Sequence, residues 1–132
     1  MTRLKGWLLV ALALGGGTGS CSSDGGTGPV AGVLTVSLAT PNPGADGAIL
    51  FNVSGPQALT SVTAGPGLRV FSQSLSLSTR FAVTGTLTNG GLVTIGVADT
   101  RSAAQYTATV QGVAAPDFQL RSLTGYSLTV SP

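Results

Sequence analysis

Alternation of apolar and polar residues with a period of two recurs from Val33 onward, and no longer segment repeats at helical spacing. Leu34, Val36 and Leu38 alternate with Thr35 and Ser37. Pro41-Asn42-Pro43-Gly44 ends that strand, because proline lacks a donor and fixes φ. Ile49, Phe51 and Val53 make a second inward row, closed by Gly55-Pro56. A shorter strand is predicted from Leu59 to Ala64, stopped by Gly65-Pro66-Gly67. Leu68 to Phe71 and Leu75 to Leu77 read as two brief strands in a Ser-rich stretch.

Arg80 to Ala98 carries two apolar rows on either side of Asn89-Gly90-Gly91, which predicts a β-hairpin. A three-residue loop would pair Leu87 with Val93, Gly85 with Ile95 and Val83 with Val97. That register keeps the β-branched row on one buried face, whereas a slip of one residue would reverse every side chain. It also predicts Gly91 in the left-handed region, where a β-branched residue would be strained. Tyr106, Ala108 and Val110 follow as a row, then Phe118 and Leu120 after Pro116, then Tyr126, Leu128 and Val130. Eight or nine short strands with turns at near-regular spacing predict an all-β fold, an antiparallel β-sandwich over residues 33–132. Leu-Thr-Val-Ser occurs at both 34–37 and 128–131, which suggests two equivalent strand faces.

The N-terminal part has a different pattern. Arg3 and Lys5 precede an apolar run, Trp7 to Leu14, and small residues follow from Gly15 to Ser20. This is the plan of an export signal over residues 1–20. Its eight apolar residues are far short of the roughly 20 that cross a bilayer as a helix. Cys21, the one cysteine of the chain, comes next. Residues 1–21 resemble the signal of bacterial lipoproteins, in which a small residue precedes a lipid-modified cysteine. Ser20 and Gly19 suit the two positions before Cys21, and Thr18 stands where that family usually has Leu. The resemblance implies lipidation of Cys21 and, with Ser22 rather than Asp beside it, an outer-membrane destination. An ordinary leader, cut to leave a secreted or periplasmic protein with a free thiol, is the alternative. Residues 21–32 read as a Gly/Ser-rich tether.

Charge removes several functions. The chain has six Lys or Arg, four Asp and no His. Beyond the leader, Arg69, Arg80, Arg101 and Arg121 balance Asp24, Asp46, Asp99 and Asp117, so the net positive charge belongs to the leader. There is no basic footprint for nucleic acid. Without His or a mature Lys, Ser-His-Asp, Cys-His and Ser-Lys arrangements cannot be built, and imidazole zinc sites are excluded. Asp46, Asp99 and Asp117 all fall in predicted turns, where Asp caps nearby amides. The four arginines read as solvated surface charges. No cofactor or metal is expected, and the domain is expected to fold without either. Asn52-Val53-Ser54 matches a glycosylation acceptor but lies on a predicted strand. Phe51, Phe81, Tyr106 and Tyr126 fall on inward rows, leaving at most Phe71 or Phe118 exposed.

The opening strand with Pro43-Gly44, then Gly47 to Val53, Gly91 to Val97 and Gly125 to Val130, resembles the cohesin-type and immunoglobulin-like sandwiches of bacterial surface proteins. Such families mostly bind proteins or polysaccharides. The expected function is therefore noncatalytic: an exported, membrane-anchored lipoprotein whose sandwich is an interaction or envelope-structural module. A carbohydrate-binding accessory domain is the alternative, which a surface patch of two aromatics would favour. An Asp-dependent hydrolase, using Asp99 with another Asp, is a third.

Overall fold

The computed structural model describes residues 28–132, so the leader, Cys21 and the first part of the tether lie outside the described residues. Eight strands follow in chain order: β1 (Gly32–Ala39), β2 (Asp46–Ser54), β3 (Ser61–Ala64), β4 (Arg69–Ser74), β5 (Ser78–Leu87), β6 (Gly90–Val97), β7 (Thr107–Ala114) and β8 (Ser127–Ser131). A short 3-10 helix, Thr100–Gln105, links β6 to β7. Two four-stranded antiparallel sheets form the sandwich, in the orders β3-β6-β1-β8 and β4-β5-β2-β7.

The period-two rows become the core. Leu34, Val36 and Leu38 from one sheet meet Ile49, Phe51, Val53, Phe81 and Val83 from the other, all buried. Phe51 and Phe81 are directly opposite in register and their rings stack with centroids 5.0 Å apart. Burying each such side chain contributes about 1.5–3 kcal/mol, which is why the alternation dictates the fold. The two Leu-Thr-Val-Ser segments prove to be neighbours: β1 and β8 pair antiparallel, Val36 opposite Val130 and Leu38 opposite Leu128. In β7 a register irregularity near Val110 shifts the inward row, so that Val113 rather than Gly112 is buried.

The predicted hairpin is not formed. β5 pairs with β2 and β4, whereas β6 pairs with β1 and β3, so Thr88-Asn89 carries the chain from one sheet to the other. Leu87 and Val93, the expected pair, are both buried but belong to opposite layers. A cross-sheet arch needs the same turn residues and the same alternating flanks as a hairpin, so local sequence does not separate them. The left-handed glycine is Gly90, with φ +121°, and Gly91 is not in that region. The expected strain of a β-branched residue at 91 therefore loses its basis. Asn89 is occupied elsewhere: its Oδ1 accepts the Thr40 amide at 2.7 Å, tying the arch to the end of β1.

Two further expectations change. The brief strands at 68–71 and 75–77 are replaced by one strand, β4, and Leu75-Ser76-Leu77 connects it to β5. Phe118 and Leu120 do not lie on a strand; an isolated bridge joins Leu120 to Ala114.

Candidate functional site

The two ends of the sandwich have different chemistry. One end gathers the start of β1, the end of β6 and the 3-10 helix; the other gathers the segments 40–45, 88–89 and 115–126. At this second end Asp46 opens β2 and is fully buried, contrary to the reading of a turn aspartate that caps nearby amides. Its Oδ1 accepts hydrogen bonds from Arg121 Nε and from the Tyr126 hydroxyl, both at 2.8 Å. Its Oδ2 accepts the Thr40 hydroxyl at 2.6 Å. Arg121 also donates to the Ala45 carbonyl at 2.8 Å, and Asn42 Nδ2 donates to the Tyr126 oxygen at 3.0 Å. A buried carboxylate is costly unless a counter-charge and further donors compensate it, and here all are present. Arg121 is thus a structural partner of Asp46, and not one more solvated surface charge.

This network fixes the base of a small hairpin. The Arg121 amide donates to the Val113 carbonyl at 2.8 Å, and the Ala115 amide to the Gln119 carbonyl at 2.9 Å. The tip closes with the Phe118 amide donating to the Ala115 carbonyl at 2.9 Å. Asp117 Oδ1 accepts the Gln119 amide at 3.1 Å, the turn role expected for it. Phe118 then has φ +69°, the one non-glycine residue with positive φ among the described residues. The residue after such a turn is usually glycine, since a side chain there costs about 1–2 kcal/mol. The Phe118 side chain is 89% exposed and Leu120 is 83% exposed. Two large apolar groups therefore project into water from a strained, well-anchored loop and contribute little to the core. Strain of this kind points to function when the surrounding structure holds it in place.

At the opposite end, Asp99 caps the 3-10 helix. Its Oδ1 accepts the Val30 amide at 3.2 Å, the Arg101 amide at 3.1 Å and Arg101 Nε at 3.0 Å. The hydrogen bonds from the Arg101 side chain, followed by that from the Val30 amide, lower its pKa from 3.8 to about 2. The three described aspartates are thus each engaged separately. Asp99 is at the other end of the sandwich from Asp46 and Asp117, across an eight-residue strand that spans about 26 Å. That is well beyond the separation of about 10 Å that a pair of glycosidase carboxylates allows.

Concave space is small. A cleft of about 90 Å³ lies between Val53, Leu59, Leu75, Leu77 and Tyr106, and no carboxylate or cation lines it. A second depression of about 210 Å³ runs over Thr35, Pro66 and Leu92. Both fall below the roughly 300–1,000 Å³ usual for small-molecule sites. No protein-family model, curated protein or solved structure matches the chain.

Sequence reasoning missed Asp46, Arg121, Tyr126, Thr40 and Asn42 as one cluster. Asp46 and Arg121 are 75 positions apart, and neither has a local pattern that announces the other.

Proposed function

We propose that the protein is a noncatalytic, lipid-tethered interaction module of the cell envelope that presents Phe118 and Leu120 to a partner. The observation that carries the reading is the clamped hairpin: an exposed phenylalanine in a glycine conformation, at the end of the sandwich opposite the start of β1. The tether from Cys21 enters at the start of β1. Its eleven residues before Gly32 reach at most ~40 Å at up to 3.6 Å each. Lipid anchoring would then leave the Phe118 end facing away from the membrane. Exposed apolar anchors on a pre-organised element bind with little ordering cost, which is how a small surface gains affinity.

Two experiments test it together. Fractionation of cells making wild type or Cys21→Ala should find the first with membranes and the second soluble. Equal solubility, with an unmodified thiol in wild type, would leave a simply secreted protein. Cross-linking in cells should give wild type a defined partner that Phe118→Gly and Leu120→Ser lose. An unchanged set of cross-links would remove the hairpin from the binding surface.

A further inference from the structure

Among the described residues, Arg101 pairs with Asp99 and Arg121 with Asp46, while Arg69 and Arg80 form no ion pair. Both unpaired arginines lie on the same surface, the outer face of the β4-β5-β2-β7 sheet. Register makes that face a grid. Phe71, Ala82, Leu50 and Gly112 are aligned across the four strands in an apolar row. The next row is wholly polar: Gln73, Arg80, Asn52 and Thr109. Arg69 flanks Phe71 from the other side, two residues earlier on β4. No carboxylate belongs to these rows.

We propose that this face binds an acidic polysaccharide, laid across the strands along the two rows. The inference rests on the reading of a noncatalytic binding module but uses a surface other than the Phe118 hairpin. Phe71 is 57% exposed and offers a ring face on which the C–H side of a pyranose can stack. The adjacent row supplies amide, guanidinium and hydroxyl groups to the sugar hydroxyls. Asn52 Oδ1 is shielded from water and has no hydrogen-bond partner, an unmet acceptor that a ligand hydroxyl can satisfy after a turn of the amide. Arg69 and Arg80 stand on either side of Phe71, so carboxylates along the polymer meet a cation on each flank.

Shape selects among anionic occupants. Apart from Phe71 and Leu50, the apolar row is Ala82 and Gly112, a floor of small residues on which an extended polymer can lie, and none of these four residues lines either cleft. The other sheet shows the contrast. Its outer face aligns Thr63, Thr94, Thr35 and Ser131, with no charge and no aromatic ring.

The test measures binding of the whole chain in mild detergent to immobilised polygalacturonate, to neutral dextran and to phosphatidylglycerol vesicles. Polygalacturonate should bind at least tenfold more tightly than dextran, and added salt should weaken it. The pair Arg69→Gln and Arg80→Gln together, and Phe71→Ala alone, should each lower that affinity at least tenfold with unchanged melting. Phe118→Gly should leave it intact. Equal binding to dextran, no binding to polygalacturonate, or arginine variants that bind like wild type would overturn the proposal. Retention by the vesicles without polymer binding would also overturn it, in favour of a lipid surface. If polymer binding fails while the Phe118-dependent cross-link persists, the module reading stands and only this assignment falls.

Discussion

Each end of the sandwich holds one Asp–Arg pair, and the two pairs do different work. Asp99 and Arg101 are two residues apart, partly exposed, and shape one turn at the start of the 3-10 helix. Asp46 and Arg121 join segments 75 positions apart, with the carboxylate fully buried and two hydroxyls completing its shell. The same pair of residue types is thus a local cap at one end and a tertiary clamp at the other. Burial makes the difference. Water screens the first pair and replaces it readily, whereas loss of Arg121 from the second leaves the buried Asp46 carboxylate without its counter-charge.

The largest expected effect follows from breaking the clamp. Arg121→Ala strands the buried Asp46 carboxylate and should cost about 3–5 kcal/mol in denaturant unfolding. Asp46→Ala should cost less, since Arg121 keeps about a third of its side chain in water and can be hydrated there. A loss under about 1 kcal/mol for Arg121→Ala would erase the contrast between the two ends.

At the other end Asp99→Asn should be mild, because water screens an exposed pair. Its signature is pH. The folded Asp99 carboxyl titrates at about 2 against 3.8 for an unperturbed one, so on acidification the unfolded chain takes up the proton first. The contribution of Asp99 is present above about pH 4 and is lost as the pH falls toward 2. Asp99→Asn should be slightly less stable than wild type across neutral pH, and the two profiles should converge as the pH falls through that window. An identical acid profile for wild type and Asp99→Asn would show that the cap does not hold in solution.

The sandwich was legible because its core follows the period-two rows. Leu34-Val36-Leu38, Ile49-Phe51-Val53 and Phe81-Val83 are buried as their alternation requires. Strand partnership was not legible where it depends on which layer a turn leads to. Asn89-Gly90 bends the chain in either case, and β5 takes its apolar neighbours from β2, with Phe81 beside Phe51 and Val83 beside Ile49. The candidate site was legible only in part. Phe71 and Phe118 are the exposed phenylalanines, as the inward rows left room for them to be. The strain at Phe118 had no such trace, because nothing in Pro116-Asp117-Phe118 says that the third residue takes the conformation of a glycine. The Asp46 clamp was hidden for a simpler reason: Asp46-Gly47 has the composition of an ordinary turn, and its partners come from a distant loop.

Phe118 is held in a costly backbone conformation with its side chain exposed to water. Thermal melting of Phe118→Gly beside wild type tests this most directly. Relief of about 1–2 kcal/mol of backbone strain exceeds the roughly 0.5–1 kcal/mol that glycine loses through unfolded-chain entropy. The melting temperature should hold or rise by a few degrees, since 1 kcal/mol corresponds to roughly 4–8 °C in a domain of this size. A fall of several degrees would mean that the Phe118 side chain supports the fold, and would contradict its assignment as a displayed binding group.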